Sequence, residues 1–101
     1  MGIGEVEQPT SKLTKHLNIH GLVQGVGYRY SFYSVARRLG ITGWVRNNRD
    51  GSVEAMVQGT GEQVASIIGW AKKGPDFAQV ERVDVSEGSG RFEDFSIRET
   101  V

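Results

Sequence analysis

Along the first part of the chain, the spacing of apolar residues changes once. From Leu13 onward, apolar residues fall mostly on every second position, which predicts a strand with one packed face and one wetter face. From Tyr28 the apolar residues recur every three or four positions until Gly40, which predicts a helix that ends at that glycine. The apolar residues of the strand are Leu13, Leu17, Ile19 and Val23, and those of the helix are Tyr28, Phe32, Val35, Ala36 and Leu39.

The alternating pattern returns on both sides of a turn in the middle of the chain. Residues 41–47 predict a second strand, and the following NRDG sequence has the chemistry of a hairpin turn. A third predicted strand begins directly after this turn. Ile41, Val45 and Asn47 share one side of the second strand, and Val53, Ala55 and Val57 form the inward face of the third.

A second helix and two further strands are predicted in the remaining part. Thr60 and Gln63 match a capping box, and the apolar stripe that follows it ends at Gly74-Pro75. Within the β-rich residues 79–86 the valines change parity after Val80, which indicates a β-bulge. The helix stripe is Val64, Ile67, Ile68 and Ala71, the later valines are Val83 and Val85, and a short last strand contains Phe95 and Ile97.

The order of these elements predicts the fold class. Strand, helix, strand, strand, helix, strand is the ferredoxin-like βαββαβ sandwich of the α+β class, with two helices on one face of an antiparallel sheet. In that topology the first two strands run parallel, with the third between them, so their C-terminal ends open at one edge about 10 Å apart. Residues 1–12 show no periodicity, and we expect a flexible N-terminal leader before a domain at 13–101.

Composition narrows the range of functions. The 101 residues suffice for one domain, and 12 basic against 12 acidic residues give a net charge of zero, so no overall field favours nucleic acid or an anionic membrane. The absence of cysteine excludes disulfides, thiolate metal sites and cysteine nucleophiles. No apolar run approaches the ~18 residues of a membrane span, so we expect a soluble cytoplasmic protein.

The segment GLVQGVGYR, at residues 21–29, joins the first strand to the first helix and suits an anion. Gly25 and Gly27 permit a backbone that turns successive N–H groups inward, and such a nest at a helix N-terminus binds phosphate. Arg29 stands at the positive end of the helix dipole, where a cation is mildly unfavourable unless an anion accompanies it. By strand parity Asn47 points to the same side, so we expect Arg29 and Asn47 in one shallow pocket.

These motifs resemble the acylphosphatase family. GLVQGVGYR and GWVRN carry the resemblance, which DGSVEAMVQG, KGP, VERV and FEDFSI extend from about residue 15 to residue 97. It implies hydrolysis of acyl phosphates to carboxylate and inorganic phosphate without metal, with Asn47 orienting the attacking water. Separately, we expect a monomer that needs no cofactor. Tyr28 stands where the family often has phenylalanine. The implied phosphate-binding residues are Gln24, Gly25, Val26, Gly27, Tyr28 and Arg29.

Two other functions compete with this hypothesis. One is a catalytically idle anion-binding module, resembling the acylphosphatase-like domain of larger carbamoyl-transfer proteins. The other is RNA binding, which needs an aromatic platform on the open sheet face. The positions of the first and third strands that face the open side of the sheet hold no phenylalanine or tyrosine, so RNA binding is rejected. These positions hold His16, Asn18, His20, Glu54, Met56 and Gln58.

Several other polar or aromatic residues are expected to have structural roles. His16 and His20 share a strand face, but two ligands make a poor metal site, so we expect solvent-facing structural side chains. Residues 48–50 are expected to form the turn. Arg37 and Arg38 are expected to form a solvated helix face, and Trp44 to have an ordinary packing role.

Overall fold

The computed structural model describes residues 12–101, so nearly all of the predicted leader lies outside the described residues. The described part contains two helices and five strands in the predicted order, which confirms the α+β ferredoxin-like fold. None of the helices in this range is long and apolar enough to cross a membrane. In chain order the elements are β1 (Leu13–Leu22), α1 (Tyr28–Leu39), β2 (Thr42–Asn47), β3 (Val53–Gly59), α2 (Gly61–Lys73), β4 (Gln79–Glu87) and β5 (Phe95–Ile97).

The strand order β4-β1-β3-β2-β5 places the ends of β1 and β2 at one edge of the sheet. β3 lies between β1 and β2 and is antiparallel to both, so β1 and β2 run parallel, as predicted. The loop that follows β1 and the residue that ends β2 therefore meet at the same edge.

The sheet is mixed, and the prediction of a wholly antiparallel sheet was wrong for its last strand. β5 pairs with β2 in parallel. The reason is the path of the chain after β4, which ends beside Lys15 at the start of β1. The chain then crosses to the other edge of the sheet, where Gly43 N donates to Asp94 O at 2.9 Å near the start of β2. β5 thus begins where β2 begins and runs in the same direction.

The predicted bulge lies in β4. Gly21 pairs with Val80, whereas His20 pairs with Arg82, so Glu81 has no residue opposite it. Because of this extra residue, Val80 and Val83 both face the core although they are three positions apart. Val83 pairs with Ile19 there.

One apolar core lies between the helices and the covered face of the sheet. Phe32 of α1 is at its centre, with ring centroids 5.8 Å from Trp70 of α2 and 5.9 Å from Phe95 of β5. The predicted inward faces and helix stripes meet here. Residues with no exposed surface are Leu17, Ile19, Phe32, Ala36, Val45, Val53, Ala55, Val57, Ile67 and Ala71.

Candidate active site

The loop between β1 and α1 turns on two glycines in the left-handed region. Gly25 has φ 76° and Gly27 has φ 80°. A Cβ at either position would meet no atom within 4 Å, so the backbone conformation, and not lack of space, favours glycine.

The N-terminus of α1 is open. Gly27 is its N-cap residue, no side chain caps the helix, and the first turn contains no acidic residue. The Ser31 N–H closes the first turn on the Gly27 carbonyl at 3.0 Å, and the preceding N–H groups have no acceptor within the helix. Arg29 stands in this turn, so unpaired N–H groups and a guanidinium share one end of the helix.

A pocket of about 150 Å³ opens beside this helix end. It brings Arg29 and Asn47 together, as strand parity predicts. Of the six residues expected to bind phosphate, only Val26 does not line it, and this residue packs against the core. Tyr30, whose surface is 67% exposed, also lines the pocket and was missed by sequence reasoning. Its position directly after Arg29 was the available signal. The lining residues are Val23, Gln24, Gly25, Gly27, Tyr28, Arg29, Tyr30 and Asn47.

Two polar atoms of this pocket are buried without a hydrogen-bond partner among the described residues. They are Nε of Arg29 and Oδ1 of Asn47, and the only other such side-chain atom within residues 12–101 is Oδ1 of Asn18 in β1. An unpaired buried group costs about 1–3 kcal/mol. The first atom is a donor that suits a phosphate oxygen, and the second is an acceptor that suits a hydrogen of water. The pocket thus holds an unpaired donor and an unpaired acceptor.

The side chain of Gln24 is turned away from anion binding. Its Nε2 donates to the carbonyl oxygens of Asn48 at 2.6 Å and Ser52 at 2.8 Å, in the turn between β2 and β3. The donors of its side chain are therefore both engaged, and its backbone N–H is the group it can offer to a phosphate.

The side chain of Tyr28 is likewise engaged elsewhere. Its hydroxyl donates to Ala71 O at 2.7 Å, and its ring lies 5.4 Å from that of Trp70. Burial raises the pKa of Tyr28, so the hydroxyl remains a protonated donor. The hydroxyl therefore bonds α1 to α2, while Tyr28 also lines the pocket.

Asn48 and Asp50 close the turn after β2, as predicted. Nδ2 of Asn48 donates to Oγ of Ser52 at 3.0 Å. Oδ1 of Asp50 accepts from N of Ser52 at 2.9 Å and from Oγ of Ser52 at 2.6 Å. These bonds lower the pKa of Asp50. Asn48 therefore serves the turn while its neighbour Asn47 lines the pocket.

The histidines on the open face are partly exposed, and each lies beside a carboxylate, which fits the structural role expected for them. Nε2 of His16 lies 2.5 Å from Oε2 of Glu54, and Nε2 of His20 lies 3.2 Å from Oδ2 of Asp84. Burial acts to raise the pKa of Glu54, but hydrogen bonds from His16 and Arg46 outweigh it and hold that pKa below its usual range. In the described range, no three His, Cys, Asp or Glu residues are grouped to hold a metal ion.

The remaining residues with expected structural roles behave as predicted. Trp44 is buried, with the guanidinium carbons of Arg46 at 4.8 Å and Arg98 at 4.9 Å from its ring centroid. Arg37 and Arg38 are exposed in the last turn of α1. Neither group belongs to the pocket.

Comparisons with known proteins point to one family. The acylphosphatase family model matches residues 15–97. An acylphosphatase of Thiobacillus denitrificans is 58% identical over 85 residues, which cover 84% of this chain and 96% of that protein. The solved acylphosphatase of Coxiella burnetii has a TM-score of 0.83 and 33% identity over 86% of this chain and 93% of that one. Full-length HypF in its phosphate- and nucleotide-bound form has a TM-score of 0.84 and 26% identity, covering 92% of this chain and 13% of that one.

Proposed function

Because this chain belongs to the acylphosphatase family and hydrolyses the carboxyl–phosphate bond of acyl phosphates, we propose the role of each group in its pocket. Arg29 and the backbone amides of residues 24–29 hold the phosphoryl group, and Asn47 orients the attacking water. The observation that supports this most strongly is the pair of unpaired buried atoms, Nε of Arg29 and Oδ1 of Asn47, in one pocket.

The phosphoryl group is held at the open end of α1. The left-handed glycines turn backbone N–H groups towards the pocket, and the helix dipole adds positive potential there. Arg29 contributes a planar guanidinium that pairs with two phosphate oxygens. The bound anion also offsets the unfavourable interaction between the charge of Arg29 and the positive end of the helix dipole.

The reaction forms a bond between the water oxygen and phosphorus, and it breaks the bond between phosphorus and the carboxyl oxygen. Oδ1 of Asn47 accepts one hydrogen of the water and so aims its oxygen at phosphorus. The pocket lining contains no His, Asp, Glu or Lys, so a phosphate oxygen of the substrate takes the water's proton. Products are a carboxylate and inorganic phosphate. Such a loose phosphoryl transfer depends mainly on positioning and charge stabilisation.

An idle anion-binding module is the competing function, and the likeness to a 13% portion of HypF is the observation that favours it. Against it, the chain is 58% identical to the Thiobacillus denitrificans acylphosphatase and only 26% identical to HypF. The two hypotheses differ in turnover, since both require phosphate binding.

The test is hydrolysis of benzoyl phosphate in excess chelator, with Arg29→Ala measured beside the wild type. We expect turnover by the wild type, inhibition by inorganic phosphate, and loss of both in the variant. Loss of activity on chelation, restored by a divalent ion, would overturn the metal-free mechanism. Phosphate binding without turnover would establish the idle module instead.

The enzyme is further proposed to act as a cytoplasmic monomer on small acyl phosphates, without nucleic acid or membrane. One chain supplies every group assigned above, which supports a monomeric catalyst. Sedimentation velocity at assay concentration, together with activity that is linear in enzyme concentration, tests this proposal. A dimer whose dissociation abolishes turnover would contradict it.

A further inference from the structure

The two halves of the pocket are not joined by the sheet. β1 and β2 each pair with β3 and not with each other. At this edge of the sheet, the pairing of β3 with both neighbours ends at Val53, which lies opposite Ile19 of β1 and Asn47 of β2. Beyond Ile19, β1 pairs only with β4, so the ladder leaves a gap between the phosphate loop and the end of β2.

Gln24 spans this gap. Both N–H groups of its amide are used, one on Asn48 O and one on Ser52 O. These acceptors already have backbone partners, since Gly51 N donates to Asn48 O at 3.2 Å and Asn48 N donates to Ser52 O at 2.9 Å. The turn therefore closes by itself, and the amide of Gln24 is an additional tie from the loop.

Within the described residues, no hydrogen bond to Oδ1 holds the side chain of Asn47 in place, so its location in the pocket is set by the position of its backbone. Outside the sheet ladder, its carbonyl accepts a long bond from Val101 N, at 3.4 Å. The tie from Gln24 reaches the carbonyl of Asn48, the next residue of the chain, and so joins the loop to the backbone beside Asn47.

We propose that Gln24 is a positioning residue, whose side chain holds the water-orienting Asn47 in register with the phosphate loop. The proposal rests on the function proposed above and extends it: the backbone of Gln24 serves the anion, while its side chain serves the water. A reacting water must be aligned closely, and a 1 Å misplacement costs on the order of 10²-fold in rate.

Gln24→Met isolates the side chain, because it keeps the length and the backbone N–H but removes both donors. We expect kcat to fall by ~10–10²-fold through misplacement of the water. The inhibition constant of inorganic phosphate should change by no more than about 3-fold, because the loop amides and Arg29 remain. Asn48→Ala is the matched control in the same turn, since it retains the Asn48 carbonyl that Gln24 binds.

The decisive measurement repeats Gln24→Met in an Asn47→Ala background. If Gln24 acts through Asn47, its effect on kcat should shrink to less than about 2-fold there, since interacting positions are non-additive. An equal loss in both backgrounds, or a parallel loss of phosphate affinity, would overturn the proposal. If Asn47→Ala itself kept full activity, the proposed role of Asn47 would fail first, and this inference with it.

Folding is checked by thermal melting of each variant. If Gln24→Met does not fold, Gln24→Leu takes its place, because it also lacks the two donors and adds no charge beside the phosphate loop. Failure of both variants to fold would overturn the proposal, since the turn would then need Gln24 for its own stability.

Discussion

The two helices begin in opposite ways. At the start of α2, Thr60 Oγ1 accepts from Gln63 N at 3.2 Å, Gln63 Oε1 accepts from Thr60 N at 2.8 Å, and Glu62 adds a negative charge. At the start of α1, Gly27 offers no side-chain cap, and the charged residue of the first turn is Arg29. The start of α2 is therefore capped by its own side chains, and the start of α1 has no side-chain cap.

This difference separates a stabilising helix end from a functional one. The capping box of α2 also serves α1, since Gln63 Nε2 donates to Leu39 O at 2.9 Å in the last turn of α1. The capping box and the negative charge of Glu62 make the start of α2 less suited to an anion. An open end beside an unpaired arginine departs from the usual capping rules, and such departures mark functional sites. Substitutions at the two ends should therefore affect different measurements.

The largest expected effect is at the open end of α1. Arg29→Ala should lower kcat/KM by ~10³–10⁵-fold, because the variant loses the charged donor that we propose to hold the phosphoryl group. Arg29→Lys should lose at least ~10²-fold, since it keeps the charge without the planar fork. Steady-state hydrolysis of benzoyl phosphate and inhibition by phosphate measure both.

The control for Arg29 is an arginine of the same helix. Arg37 stands in the last turn of α1, where a cation is favourable, and Arg37→Ala should leave turnover within about 2-fold. If Arg29→Lys kept more than about a tenth of the activity, the bidentate fork would be unnecessary. The open helix end would then need only a positive charge.

The next effect separates Asn47 from Asn48. Asn47→Ala should lower kcat by ~10²-fold or more while phosphate inhibition changes little, because in the proposed mechanism this side chain holds the water and not the anion. Asn48→Ala should cost up to about 1 kcal/mol of unfolding free energy, through loss of its bond to Ser52, and keep turnover near normal. The reverse pattern, with an inactive Asn48 variant, would show that the two roles are exchanged.

The sequence allowed us to predict the fold and to place Arg29 and Asn47 in one pocket, because both inferences follow from periodicity and strand parity. Sequence reasoning missed the direction of β5, since the last strand is too short to reveal which edge it joins. It also could not place the side chains of Gln24 and Tyr28, whose partners lie 24 and 43 residues away along the chain. Such contacts depend on tertiary packing, which spacing within one element does not encode.

The closed end of α2 should show the opposite response to that of Arg29. Thr60→Ala removes half of the capping box and should cost about 1 kcal/mol of unfolding free energy. In a domain of this size that lowers the Tm by about 4–8 °C. Below the transition, kcat/KM should match the wild type. A fall in turnover while the variant remains fully folded would contradict the separation of the two ends.

An effect on stability of similar size is expected at Tyr28, whose hydroxyl bonds the uncapped start of α1 to α2. Ala71 lies in the last turn of α2, where carbonyls lack helical partners, so Tyr28→Phe leaves a buried acceptor unpaired. The expected cost is about 1 kcal/mol of unfolding free energy at neutral pH, with unchanged kcat. Tyr30→Phe is the control, because its exposed side chain should change stability by less than about 0.5 kcal/mol.

The pH dependence of this cost tests its cause. Burial raises the pKa of Tyr28 in the folded state, whereas the unfolded chain loses the same proton at a pH of about 10. The contribution of the hydroxyl is therefore fully present below that pH and declines above it, because deprotonation favours the unfolded state. Denaturant melts at increasing pH should show the wild type approaching Tyr28→Phe above pH ~10. A constant difference between the two proteins would mean that the buried hydroxyl does not anchor the helix.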